Sequence, residues 1–152
     1  MENGSVELDL STIQEGLKGK EIVNGAYFCD AELFRYFYKL ERVRAERSGR
    51  SVLLCLLTLT GQGYSSPSPS ILKEVMFNLQ EVILDSLRKG DIVTRWNEAQ
   101  YLMLLPGLNR EQAAKVMDRI EKKFLQNHSL KGLTLHKKVE TVLPLEGDAH
   151  FY

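Results

Sequence analysis

The sequence carries no net charge, because twenty basic side chains balance twenty acidic ones. A domain that grips nucleic acid through phosphates needs a basic excess, so no direct nucleic-acid partner is expected. Cysteine is scarce: only Cys29 and Cys55 are present. Two thiols, with no charged-then-apolar leader, point to a reducing cytoplasm and not to a disulfide framework. Long apolar runs are missing as well. The longest, Val52 to Leu57, falls far short of the roughly 20 residues that cross a bilayer, so no membrane contact is expected. The three histidines, His128, His136 and His150, lack metal-ligand spacing and have no cysteine close by, which argues against zinc. No nucleophile-elbow motif is present. The loop GQGYSSPS (Gly61 to Ser68) lacks the phosphate-loop pattern and reads as a plain connection. No cofactor is expected.

What remains is an ordinary globular composition, 43% hydrophobic and 26% charged over 152 residues, enough for one domain with a core. The start MENGS and the abrupt HFY end fit a piece cut from something longer. Val6, Leu8 and Leu10 alternate with acids as a short strand would, and Ser11 to Gln14 has capping-box spacing for one or two helical turns before Gly16. Asp30 to Ser48 reads as a helix capped by Asp30, with a stripe of Leu33, Phe34, Phe37, Leu40, Val43 and Arg44. Arg42, Arg44, Arg47 and Arg50 are either a phosphate-binding cluster or, with Glu41 and Glu46, a solvated face; the solvated face is the expectation. Val52 to Leu59, almost without polar alternation, reads as a central strand covered on both sides. Pro69 to Lys89 is a second helix, capped at Ser68 and stopped by Gly90. Asp91–Thr94 and Tyr101–Leu105 are two strands joined by a polar turn. Asn109 to Gln126 is a third helix with a capping box, and Leu133 to Leu145 holds one or two more strands. After the first helix the order is βαββαβ, which predicts an α+β fold with a mainly antiparallel sheet.

The turn Asn97–Gln100 is the point of chemical interest. A divalent metal working on a triphosphate wants several hard oxygen ligands. The turn offers one acid, Glu98, and the neighbouring strand offers only Thr58 and Thr60.

Phe28 to Pro106 resembles a GGDEF domain, the diguanylate cyclase fold, with a ferredoxin-like βαββαβ core. The stretch AELFRYFYKLERVRAERSGRSVLLCLLTL is similar to that family's first long helix and central strand, and LRKGDIVTRWNEAQYLMLLPG to its second helix end, signature hairpin and next strand. The resemblance implies a degenerate GGDEF-like domain over residues 25–145, an extension or linker over 1–24 and a tail over 146–152. Asn97, Glu98, Ala99, Gln100 and Tyr101 stand where the family has Gly, Gly, an acid, Glu and Phe. Thr58 or Thr60 stands at its first-strand aspartate. By that comparison the metal and catalytic carboxylates are gone, and no cyclase activity is expected. GAYFCD and RAERSGR also resemble the C-terminal domain of some bacterial transcriptional activators that carry a BTAD segment.

One family feature is kept. Arg88 and Asp91 form RxxD, which the resemblance implies is an inhibitory cyclic di-GMP site; alternatively, Arg88 simply suits a helix end and Asp91 a turn. The expected role is regulation or assembly through a protein partner or self-association, with a cyclic di-GMP receptor as the alternative and an active cyclase as the remote one. Trp96 either anchors a partner or lies over the hairpin.

Overall fold

The computed structural model describes residues 9–18, 25–64 and 67–142. Helix α1 covers Leu10–Lys18, strand β1 Tyr27–Cys29, helix α2 Ala31–Ser48 and strand β2 Val52–Thr60. A 3-10 turn at Gln62–Tyr64 leads to helix α3 (Pro69–Ser86), then β3 (Ile92–Asn97), β4 (Gln100–Pro106), α4 (Arg110–Asn127) and β5 (Thr134–Thr141). The five strands form one sheet in the order β1-β3-β4-β2-β5. The pairs β3–β4, β4–β2 and β2–β5 are antiparallel, and β1 runs parallel to β3. From β2 onward this is the βαββαβ arrangement read from the sequence, and the α+β expectation holds.

Alternation along the strands divides the core in two. Leu53, Cys55, Leu57 and Leu59 of β2 join Tyr101, Met103 and Leu105 of β4 under α3 and α4. Val52 and Leu104 face the other way, where Phe34 of α2 packs with Ile92 and Cys29. The sheet is therefore the middle layer, and β2 is hydrogen-bonded along both edges; α3 and α4 cover one face along its length, whereas α2 reaches the other face only at Val52 and Leu54, so the cover expected on both sides is present only at the start of the strand.

Local chemistry accounts for the helix ends. Asp30 accepts from the Leu33 N–H at 2.8 Å, and Asn109 and Gln112 form a reciprocal capping box, each satisfying donors that a helix start leaves open. Ser68 occupies the cap position of α3 without a side-chain bond to its backbone; Pro69 in the first turn needs no donor satisfied there.

Several expectations are corrected. Leu10 begins a helix capped by Asp9, whose carboxylate accepts from the Ser11 N–H at 3.1 Å, and that helix runs through Gly16 to Lys18. Val6 and Leu8 lie outside the described residues. The buried stripe of α2 is Phe34, Glu41 and Ala45, rotated away from Leu33, because the helix leans on the sheet through Phe34. Helix α3 stops at Ser86 and not at Lys89: the Asp91 carboxylate takes the Arg88 N–H at 2.7 Å and turns the chain there. Gly90, at φ +96°, sits inside that turn and not at the helix end. Strand β1, three residues paired to β3, has no counterpart among the sequence expectations. It is reached through Gly25, where a Cβ would stand 1.9 Å from the Leu84 carbonyl oxygen, so only glycine fits.

Candidate functional site

Strands β3 and β4 meet in a turn at Glu98–Ala99, with Asn97 opposite Gln100 and Arg95 opposite Tyr101. Trp96 is the extra residue between those pairs, a bulge that sharpens the local twist. The Asn97 side-chain oxygen accepts from the Ala99 N–H at 2.9 Å and closes the turn. Its amide nitrogen donates to Gln100 Oε1 at 2.6 Å, and Gln100 Nε2 donates to Thr58 Oγ1 at 3.0 Å. Thr58 faces Gln100 on one side and His136 on the other. Thr60 instead faces Thr134, and its hydroxyl lies 2.8 Å from His136 Nε2. Of the two threonines, Thr58 is thus the one that meets the hairpin.

This chain of groups is neutral and largely self-satisfied. A hard divalent cation would find one hydroxyl and two amides, each already engaged, where it needs carboxylates. The donor set does not fit such an ion. Glu98, the single acid of the turn, is exposed and faces a different cleft with Lys73 and Arg95. Among the described residues no group of three or more His, Cys, Asp or Glu side chains stands together. Tyr101 is fully buried. Its hydroxyl donates to the Met76 carbonyl at 2.8 Å, and burial pushes its pKa up to about 12.

Trp96 lies over the edge of the sheet. The Arg35 guanidinium sits 5.1 Å above its ring, and with Phe34, Tyr38, Leu54 and Leu102 the pair encloses an apolar recess of about 170 Å³. The ring is 37% exposed, so packing and partial exposure coexist. Arg35 remains exposed while making this contact.

The RxxD pair closes on itself. Arg88 donates to Asp91 through Nη2 at 2.8 Å and Nε at 3.2 Å, and Nη2 also reaches the Pro106 carbonyl at 2.8 Å. The Asp91 side chain is 2% exposed and that of Arg88 52%; the Arg88 pKa rises chiefly through its bond to Asp91. A cavity of about 310 Å³ beside them is also lined by Gln112, Lys115 and Arg119 of α4. Arg119 donates to the Ser86 carbonyl at 2.8 Å. No local pattern joins Arg119 to Arg88; the single signal is its place beside Ile120, a buried residue of α4.

Comparison with known proteins agrees with this architecture. Residues 72–141 match the family model described as diguanylate cyclase, GGDEF domain. No curated protein sequence matches the chain significantly. Among solved structures, a diguanylate cyclase protein from Thermotoga maritima superposes with a TM-score of 0.61 at 14% identity, covering 78% of this chain and 82% of that one. SiaD of Pseudomonas aeruginosa, solved with its activator SiaC, gives 0.64 at 16%, covering 93% of this chain and 58% of that one. The coiled coil and GGDEF domain of DgcB from Caulobacter crescentus, solved with cyclic di-GMP, gives 0.61 at 13%, covering 87% and 73%. At these identities the likeness shows the fold, a five-stranded α+β sheet flanked by helices.

Proposed function

We propose that this chain is a degenerate GGDEF-like domain without cyclase activity, serving regulation or assembly in a bacterial signalling or transcriptional regulator. The observation that carries the reading is the neutral chain Asn97–Gln100–Thr58. Its groups occupy one another where phosphoryl chemistry on a triphosphate would require carboxylate-held metal. The short motifs GAYFCD and RAERSGR support a transcriptional activator as the parent protein, and the sequence of the whole gene product tests that part. The activity claim is tested by incubating the protein with GTP and either magnesium or manganese. No cyclic di-GMP is expected. Turnover that disappears in Glu98→Ala would overturn the reading.

A second reading, a cyclic di-GMP receptor, is favoured by one observation: Arg88, Lys115 and Arg119 share a cavity. DgcB, of similar fold, was solved with that ligand. Binding here would have to draw Arg88 away from Asp91, because both carboxylate oxygens already accept from it. Calorimetry with cyclic di-GMP decides: saturable heat lost in Arg88→Ala supports a receptor, and no heat at high micromolar ligand rules it out.

A further inference from the structure

We propose that the exposed stripe of α1 docks in a groove between α2 and the β3–β4 hairpin of a second copy of this chain, the two copies exchanging the helix reciprocally. The groove lies on the sheet face that α3 and α4 leave open. Leu54 and Leu56 point to this face from β2, and Leu102 of β4 stands directly across from Leu56. Arg35 and Tyr38 of α2 border the groove on one side and Trp96 on the other. Leu56 is half-buried and packs with neither half of the core. A leucine in the middle of a central strand, without cover, is the observation that asks for an occupant.

Size, spacing and charge name that occupant. The recess beside Trp96 holds about 170 Å³. A dry apolar cavity of about 150 Å³ takes a benzene-sized group. The recess therefore suits one aliphatic side chain and falls short of the roughly 300 Å³ at which small-molecule sites begin. An amphipathic helix seated in a groove offers such side chains at i, i+3 and i+7, and Leu10, Ile13 and Leu17 of α1 have that spacing. All three are exposed, and α1 buries no residue. Stripe and groove are thus both open within one chain, and a second copy is what brings them together. Charge agrees. Residues 1–10 carry Glu2, Glu7 and Asp9 and no basic side chain. Arg35 borders the groove, Lys39 follows one turn further along α2, and neither is held in an ion pair among the described residues.

Exchange around a twofold axis makes the contact twice. A nine-residue helix can in this way approach the roughly 1,200 Å² of a standard interface. The exchange rests on the assembly part of the proposed function and gives it a surface.

Trp96 is the single tryptophan, so its fluorescence reads the groove directly. Its emission should move to the blue as the protein passes a concentration on the order of 100 μM, in step with association by light scattering. Glu15 lies opposite the stripe on α1. A nitroxide on Glu15→Cys copies, mixed with isotope-labelled native copies, should broaden the amides of Leu56, Trp96 and Leu102 across the pair. Cys29 and Cys55 are buried, which keeps the label on the new thiol. Leu56→Glu should weaken association about tenfold or more, the scale of an interface hot spot, and remove the broadening. Its carboxylate would stand across from Lys138 of β5, a favourable cross-strand pair, and its denaturant midpoint checks that it folds. Tyr38→Ala, on the other side of the groove, should weaken association as well. Association with unmoved Trp96 emission, or with broadening confined to residues 10–18, overturns the groove and leaves the assembly role standing. Unchanged association in folded Leu56→Glu and in Tyr38→Ala overturns it too. A strict monomer removes the groove and self-association together.

Discussion

Tyr101 stands where the resemblance places a phenylalanine, and its hydroxyl gives a completely buried ring a polar end. That end is satisfied by the Met76 carbonyl, with Gln80 Oε1 nearby at 3.3 Å. The carbonyl belongs to the interior of α3 and keeps a helical partner if the hydroxyl is removed. Tyr101→Phe is therefore expected to cost only about 1 kcal/mol near neutral pH. The penalty has a pH signature. Burial raises the Tyr101 pKa from 10.0 to about 12, so the folded state favours the protonated phenol. That preference is fully present below the unfolded value and is lost as pH rises toward the folded one. Cys55 and Cys29 behave alike, burial raising them from 9.0 to about 12 and about 11. Stability of the native protein should thus hold to about pH 9 and fall toward pH 12. In Tyr101→Phe the phenol's share of that fall is absent, so the gap between the two proteins should close above pH 10. Denaturant midpoints measured from pH 7 to 11 check this; a gap that stays constant would show that the hydroxyl contributes nothing to the alkaline loss.

At the level of elements, the sequence disclosed what depends on local periodicity. Helices α2 and α4 carry their caps in Asp30 and Asn109, and β2 announces itself by an unbroken apolar run. The missing pieces rest on contacts between distant residues. Strand β1 is three residues long and is defined by pairing to β3, which no local pattern encodes. The early stop of α3 comes from Asp91 reaching back to Arg88. The bulge at Trp96 and the approach of Arg119 to the end of α3 follow from sheet twist and helix packing. For the candidate site, the residue types of the turn are legible in the sequence, while the neutral network that joins Asn97, Gln100 and Thr58 depends on the register of three strands. That register makes a prediction. Thr58→Asp with Gln100→Glu would set two carboxylates directly across adjacent antiparallel strands, a like-charge pair that costs up to about 1 kcal/mol. The melting temperature should drop in the presence of a chelator. Manganese, bridging the pair, should restore it in the variant and leave the native protein unchanged. A variant indifferent to manganese would mean that the hairpin does not hold these positions in ligand geometry.

For the molecule as a whole, the apolar surface left uncovered matters more than any cavity. Leu10, Ile13 and Leu17 form one stripe of α1 and are 66%, 40% and 77% exposed. A nine-residue helix is marginal in water by itself, so this stripe needs something to cover it. Near the start of α2 a second apolar surface is exposed: Tyr36 is 61% accessible, with Tyr27, Phe28 and Leu33 at 36–38%. Edge-on contacts of Tyr27 and Tyr36 with Phe37, each 6.1 Å between centroids, tie these rings to the fold. Rigid aromatics on a fixed frame are what interface hot spots are made of. Two exposed apolar faces on one chain support the proposed assembly role. Light scattering at protein concentrations on the order of 100 μM should show a dimer or larger species, corresponding to an association of about 5–6 kcal/mol. Ile13→Glu with Leu17→Glu should return it to monomer. Because α1 contributes no buried residue, the denaturant midpoint of the sheet-and-helix core should not move. A strict monomer at that concentration would remove self-association from the proposed role and leave a different protein as the partner. If core stability falls along with association, α1 is instead a structural part of the folded unit, and the stripe is needed within the chain.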